Sequence, residues 1–468
     1  MVVPRLVIAG THSGVGKTTV TLALLGTLLK RGRLVQAFKV GPDFIDPGHH
    51  TAVAKRPSRN LDGWMLDAAA NRETLGRAGR GVDLCLIEGM MGLFDGSAST
   101  SDRGSTAEMA RLVQAPVLLV VDGSALARSA AALVSGYSRF DPNLRVAAVL
   151  FNRVNSEGHY RLLKEAVEQT AGVPAVGYLP CDQEMVIADR HLGLVTAQEQ
   201  LTTSVYDRLA DAIAATVDLE RVEEIARSAE DLPIPTMTTN RHGRSSAVGL
   251  RAPRIGVALD AAFCFYYQDN LEWLEHYGAE LVYFSPLHDR MLPAVDGLYL
   301  GGGYPEVHAA TLAGNCDIRQ AVLDFGRRGQ PIYAECGGLM YLMDAICANE
   351  ERRYEMVGFF SGQAVMNQRA CTIGYRTLEI TSPCWLGPVG MTVKGHEFHY
   401  SAISHVQPAE YIGCITDAAR RHGRPEGLAR QNVIALYTHL HFGSQPQVAA
   451  QFVKACAAAP GFQSTPAR

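Results

Sequence analysis

Two stretches of the chain hold reactive side chains where they could do chemistry. The first is Gly10-Thr11-His12-Ser13-Gly14-Val15-Gly16-Lys17-Thr18-Thr19, which follows the apolar run 6–9 and leads into a helix-like segment. Strand, glycine loop and helix start, in that order, make a cradle whose backbone N–H groups can ring a phosphate, and the helix dipole adds to the attraction. There Lys17 would reach the β- and γ-phosphates and Thr18 would offer its hydroxyl to Mg²⁺. Thr11, His12, Ser13, Gly14, Val15, Gly16 and Thr19 complete the expected nucleotide-binding loop. The spacing departs from the usual pattern, because Gly10 precedes Gly16 by six positions rather than five and Thr11 falls where the first glycine usually sits. A ligand-free glycine turn is the bland alternative, and Gly-Lys-Thr in this context argues against it.

Phosphate and metal chemistry needs carboxylates beside such a loop. Asp43 and Asp46 leave one apolar run, Glu88 ends another, and Asp95 lies just after it. Ligands of an open α/β sheet sit at the carboxyl ends of the strands, so these segments can converge there. Asp43, Glu88 and Thr18 stand as candidates for metal and Asp46 and Asp95 for substrate or phosphate, although the motif alone does not say which carboxylate binds metal. An aspartate beside a proline can equally be a turn residue. Asn152, at the end of the run 146–151, could read an adenine edge or simply cap a helix.

The second stretch is Pro331-Ile332-Tyr333-Ala334-Glu335-Cys336-Gly337-Gly338, which reads as strand, tight turn and helix start with Cys336 at the turn. This is the mechanical logic of a nucleophile elbow, and a helix N-terminus lowers a thiol pKa. Upstream, Gly301-Gly302-Gly303 follows another apolar run, and its N–H groups could join that of Gly337 in an oxyanion hole. A cysteine nucleophile needs a base, and His439 and His441 stand at the end of the late run 433–436. A buried inert thiol is the alternative for Cys336, and a zinc site from Cys336, His439 and His441 a weaker one. A third motif, Lys394-Gly395-His396-Glu397-Phe398-His399-Tyr400-Ser401, is unusually polar for an apparent strand and reads equally as a solvated edge.

The elements that must position these groups alternate. Apolar runs at 6–9, 34–40, 84–87, 117–121 and 146–151 look like strands buried on both faces, and helical patterns such as 17–30 and 124–137 lie between them. Residues 197–229 read as helix. The proline- and serine-containing stretch 231–253 reads as a linker, giving expected domains at 1–230 and 254–468. A second βα pattern follows, with strands at 255–259, 281–284, 298–300 and 332–334, an antiparallel patch over 355–400, a late strand at 433–436 and a closing helix at 445–458. Of the 468 residues 47% are hydrophobic and 19% charged, which excludes whole-chain disorder, and a net charge of −4 argues against a general polyanion binder. The ten cysteines form no CxxC pair, and there is neither a long apolar run nor a leader-like N-terminus. The expectation is a cytoplasmic protein bound to neither membrane nor nucleic acid.

An ATP site and a cysteine amide hydrolase together describe a glutamine-dependent amide synthetase. The motifs resemble, over nearly the full length, the cobyrinate/hydrogenobyrinate a,c-diamide synthases of corrinoid biosynthesis. The phosphate loop, the segments 39–47 and 87–96, Arg190-His191-Leu192-Gly193-Leu194, the Cys336 elbow, 395–400 and His439-Leu440-His441-Phe442 carry the resemblance. It implies a dethiobiotin-synthetase-like ATPase domain followed by a class I, triad-type glutamine amidotransferase domain. It further implies Cys336 as nucleophile and His439 as its base. ATP and Mg²⁺ are the implied cofactors, and glutamine and a carboxylate-rich corrinoid the implied partners, with a homodimer as the assembly to test. Class I amidotransferases commonly carry His-Pro-Glu, whereas this chain has His439-Leu440-His441, which leaves the third triad member open between His441, a distant carboxylate and none. Rival readings are a nickel-sirohydrochlorin diamide synthase, a cobyric acid synthase and, from another class, a ParA/MinD-like switch ATPase.

Overall fold

The strands that flank the phosphate loop bury both faces. Along β1 (Arg5–Gly10), Val7 and Ala9 enter one apolar cluster while Leu6 and Ile8 enter another. The same alternation holds along β4 (Leu84–Glu88) and β5 (Val117–Asp122), so helices must cover the sheet on both sides. With β2 (Val35–Val40), β3 (Arg59–Leu61), β6 (Val146–Val154) and β7 (Ala175–Pro180) they form a seven-stranded sheet in the order β3-β2-β4-β1-β5-β6-β7. Every pairing in it is parallel. The chain leaves β1 toward β2 on one side and later crosses to β5 on the other, so the loop after β1 lies at a topological switch point.

The structure is a computed structural model. It describes residues 3–187, 189–190, 193–194, 197, 204–233, 251–348, 352–367, 371–404, 406, 410–419, 421 and 423–459. The chain divides into two compact units, Met1–Met237 and Thr238–Arg468. Of the expected linker, 234–250 lies outside the described residues. The helix expected over 17–30 is Lys17–Lys30, whereas the one expected over 124–137 begins later, at Ser129–Phe140. The single helix expected over 197–229 is two, Ser204–Thr216 and Leu219–Arg227: between them Val217 bridges to Gly177 and Asp218 caps the second by accepting from the Arg221 N–H. A short antiparallel pair, β8 (Asp189–Arg190) and β9 (Gly193–Leu194), completes the strands of the first unit.

The second unit is built on a ten-stranded mixed sheet. Its parallel half is β10 (Arg254–Ala258), β11 (Glu280–Phe284), β12 (Gly297–Leu300), β13 (Ile332–Glu335) and, late in the chain, Val433–Leu436. Between β13 and that late strand come β14 (Met343–Cys347), β15 (Arg353–Glu355), β16 (Phe360–Met366), β17 (Thr372–Ile380), β18 (Thr392–His399), β19 (Ser401–Ser404), β20 (Glu410–Asp417) and β21 (Arg424–Arg430). Val433–Leu436 is thus β22, and His439–Leu440 is β23. The order is β11-β10-β12-β13-β22-β21-β20-β17-β18-β23, while β15-β14-β16-β19 form a separate small sheet. Only two residues separate β22 from β23, yet four strands lie between them in the order, so this antiparallel part must curl back on itself.

Candidate functional site

In the first unit, Gly14 (φ 78°) and Gly16 (φ 99°) take left-handed conformations that a side chain resists, and they turn the chain from β1 into its helix. The loop is braced from the end of β6. The Asn152 amide donates to the Val15 carbonyl at 2.9 Å and its oxygen accepts from the Arg153 N–H. A Cβ on Gly16 would come within 2.1 Å of the Asn152 amide nitrogen. The amide thus shapes the loop with one N–H, while its second N–H keeps the adenine contact expected from the sequence as a proposal. Arg153 donates to the Gly14 carbonyl at 2.8 Å and to Asp122 at 2.6 Å, a brace that the sequence did not single out.

Lys17 is buried, and desolvation together with the neighbouring Lys39 lowers its ammonium pKa to about 8. The Thr18 hydroxyl donates to Glu88 Oε1 at 2.7 Å. Lys39 Nζ donates to the same oxygen at 2.8 Å and to Asp46 Oδ2 at 2.5 Å, while His50 Nε2 lies 2.7 Å from Glu88 Oε2. Lys39 opens the motif at 39–47, but neither it nor His50 is given a role by the sequence. One ammonium therefore faces two buried carboxylates. Burial works against the Lys39 charge, but Asp46, Glu88 and Asp43 hold its pKa above the ordinary range. Burial likewise opposes the Glu88 charge, and Lys39 and His50 keep it well below the usual carboxylate range. Asp46 is the member pushed up, by burial and by Asp43. Asp43 Oδ1 accepts from the Ile45 and Asp46 N–H groups, so it serves the turn as well, and its Oδ2 lies 3.8 Å from Lys39. Asp95 accepts from the Gly92 N–H at 2.8 Å in a segment tied to the loop by the Leu93 N–H donating to the Gly10 carbonyl. Among the described residues no three His, Cys, Asp or Glu side chains form a metal-holding group, which counts against the zinc alternative. Mg²⁺ needs less, since one or two carboxylates with phosphate oxygens and water suffice. The charged Glu88 touching the Thr18 hydroxyl fits that requirement.

In the second unit, β12, β13 and β22 lie side by side and parallel, and the candidate groups leave their carboxyl ends. Cys336 has φ 48°, a strained value for a non-glycine residue, and its N–H donates to the Leu436 carbonyl at 2.8 Å. Cys336 thus tops a strand-to-helix elbow at the start of the helix Gly337–Leu342. A Cβ on Gly337 would lie 3.2 Å from the Gly303 nitrogen, so these two backbones meet. A Cβ on Gly302 would lie 2.3 Å from His439 Cε1, so the imidazole rests on that glycine. The Gly302 N–H already donates to the Phe265 carbonyl, leaving Gly303 and Gly337 as the oxyanion donors to test.

The thiol is not the lowered one expected from a helix start. Burial and the nearby Glu306 push the Cys336 pKa up, and the Gly337 N–H opposes them only in part. Burial, with His399 nearby, lowers the His439 imidazole to about 3. Both groups are therefore neutral at pH 7 in the free protein. The polar motif at 395–400 is no solvated edge. β18 runs between β17 and β23, with His396 opposite His439 and their rings stacked at 5.0 Å. Tyr267 hydrogen-bonds His396 at 2.8 Å. Glu397 is fully buried; despite that, His399 at 3.8 Å and the guanidinium groups of Arg424 and Arg376, which donate to it, hold its pKa at about 2. His441 accepts from the Gly443 N–H through Nδ1 and packs on Tyr267. Glu335, next to the cysteine, is occupied by Tyr299, Tyr333 and the Leu440 N–H.

Residues 6–194 match the CobQ/CobB/MinD/ParA nucleotide binding domain, and residues 254–447 match the CobB/CobQ-like glutamine amidotransferase domain. The cobyrinate a,c-diamide synthase of Priestia megaterium is 43% identical over 458 residues, covering 97% of each chain. The chain belongs to the cobyrinate a,c-diamide synthase family. The synthase of Syntrophotalea carbinolica is 45% identical over 97% of this chain and 98% of its own. That of Archaeoglobus fulgidus is 41% identical over 97% and 98%. As a family member the protein is a glutamine-hydrolysing ligase, and the reading as a switch ATPase gives way. Of the family motif at 190–194, His191 and Leu192 lie outside the described residues. No helix among the described residues is long and apolar enough to cross a membrane.

Proposed function

We propose that the protein uses ATP and glutamine to convert the a and c side-chain carboxylates of cobyrinate or hydrogenobyrinate into amides. A carboxylate is a poor electrophile. Its oxygen attacks the γ-phosphorus of ATP, ADP leaves, and the resulting acyl phosphate carries a good leaving group. Lys17 and the loop amides of residues 12–19 hold the phosphates, and Thr18 and Glu88, with Asp43 beside them, would hold Mg²⁺. Bound there, Mg²⁺ would supply positive charge that offsets the charge of the phosphates. Asp46 and Asp95 border the acceptor carboxylate. In the second unit, Cys336 gives its proton to His439 and attacks the glutamine side-chain carbonyl. The oxyanion is received by the Gly303 and Gly337 amides. His439 returns the proton to the departing ammonia, and water then cleaves the thioester to glutamate. Ammonia attacks the acyl phosphate carbon and expels inorganic phosphate, which leaves the amide.

The observation that supports this reading best is the combination of near-full-length kinship with the meeting of the Cys336 elbow, the 301–303 loop and His439 at three neighbouring strand ends. The test offers hydrogenobyrinate, cobyrinate and nickel-sirohydrochlorin in parallel with ATP, Mg²⁺ and glutamine, and follows product mass. Replacement of hydroxyl by amino at two carboxylates, and no further, is the expected result. Cys336→Ala is expected to lose synthesis from glutamine and keep it from added ammonia. Retention of glutamine-driven synthesis in that variant would remove the assignment of the nucleophile.

A further inference from the structure

We propose that an aromatic ledge beside the phosphate loop, formed by Phe94, Tyr137 and Phe140, seats the face of the flat, polycarboxylated macrocycle consumed in the ligase reaction. The inference rests on the proposed function for the nature of the substrate and adds the place where it binds. Leu133, Tyr137 and Phe140 recur at helical spacing on Ser129–Phe140 and so share one side of that helix. Phe94, from the segment after β4, stacks on Tyr137 at 5.7 Å and packs on Phe140 at 4.6 Å. Phe140 is 73% exposed, an unusual state for a large aromatic residue that other aromatics support. Gly136, on the same helix, leaves open space, since a Cβ there would touch nothing.

The ledge is continuous with the chemistry. Thr11 and His12 of the phosphate loop, with Asp122, Leu126, Leu133 and Tyr137, line a cleft of about 360 Å³, and Tyr137 is the ledge residue that reaches it. The Tyr137 hydroxyl donates to the Thr11 carbonyl at 2.5 Å, so ledge and loop share a wall. A macrocycle of this class has largely apolar faces bordered by methyl groups and carries its carboxylates on flexible arms at its periphery. Laid on the ledge, it directs one arm at the phosphate loop and leaves the others at the edge. Arg128 and Arg139, at opposite ends of the helix, are exposed and suited to those carboxylates. Arg111 and Arg153 are not, because Asp102 and Asp141 hold the first and Asp122 the second. Apolar contact is non-directional, so the ring can re-seat to present a second carboxylate to the same loop.

The test titrates the full-length protein, without nucleotide, with hydrogenobyrinate and with cobyrinate, following their visible absorption. Phe140→Glu is expected to weaken binding by about tenfold or more, because it sets a charge where the ring face should lie. Leu162→Glu, at an exposed site on the helix Glu157–Ala171, is expected to bind as the parent does. Equal binding by Phe140→Glu and the parent, or no binding by the parent, would overturn the ledge. A change in sedimenting mass with unchanged binding would also overturn it and make the surface a contact between copies of the chain. Turnover of the parent is measured separately. Amidation by the parent together with unaltered binding by Phe140→Glu sinks the ledge alone, whereas no amidation of any ring sinks the proposed function.

Discussion

Gly302→Ala isolates the contribution of one contact to glutamine hydrolysis. The φ of Gly302 is not in the left-handed region, so alanine meets no backbone penalty and acts only through its methyl group. That methyl would lie 2.3 Å from His439 Cε1 and 3.2 Å from Nε2. Carbon atoms in contact sit at about 3.5–4.0 Å, so the imidazole must withdraw by about 1 Å or more. His439 is almost fully buried and its strand is pinned on both sides: the Leu440 N–H donates to Glu335, and the Gly395 backbone presses on the His439 carbonyl. The ring therefore has little room to relax. Misplacing a proton-transfer group by this distance costs about 100-fold in rate. The assay measures glutamate release from glutamine and, separately, synthesis driven by added ammonia. The first is expected to fall by about 100-fold while the second is unchanged. A Gly302→Ala protein that hydrolyses glutamine at the parent rate would refute the placement of His439 and its role as base.

Lys17→Met should abolish synthesis and yet raise the melting temperature of the nucleotide-free protein at pH 7. The folded-state pKa is lowered to about 8 by burial and by Lys39, so holding the charge opposes folding below that pH and the opposition fades between there and the unfolded value. The gain in melting temperature should accordingly shrink as pH rises above 8, and a destabilised variant at pH 7 would contradict the reasoning. Lys39→Met leaves Glu88 and Asp46 buried without their cation and should cost about 3–5 kcal/mol, read from denaturant unfolding. A loss under about 1 kcal/mol would mean that the lysine is not their partner. Iodoacetamide should label Cys336 at pH 7 more slowly than an exposed cysteine such as Cys316, since burial and Glu306 raise the Cys336 thiol. Peptide mass spectrometry checks the order, and preferential labelling of Cys336 would show a thiolate already formed.

The parts of the site legible in the sequence are those fixed by a few consecutive residues. The glycine loop, its lysine and the following helix lie within one βα unit, and the Cys336 elbow within another, so residue type and order suffice. What escaped depends on pairing between distant segments. Lys39 looks like an ordinary strand residue until β2 is set beside β4 and its ammonium meets Glu88. The motif at 395–400 could not be told from an edge strand, because the pairing of His396 with His439 joins residues 43 positions apart. Asn152 stands at a strand end in the sequence, yet only the packing against Gly16 shows that it holds the loop. The thiol was expected to be lowered by its helix, but that helix is one short turn and a half in a buried setting, and desolvation outweighs it.

The order of strands in the second unit has a consequence for synthesis on the ribosome. β22 fills the place between β13 and β21, and the Leu436 carbonyl accepts the N–H of Cys336. A nascent chain that already contains the cysteine elbow and the glycine loop still lacks the strand that seats them and the histidine that follows it. The sheet cannot close until residues 433–439 have left the exit tunnel. Closure of the sheet around the cysteine elbow thus falls late in synthesis, because β22 and β23 emerge after every other strand of the unit.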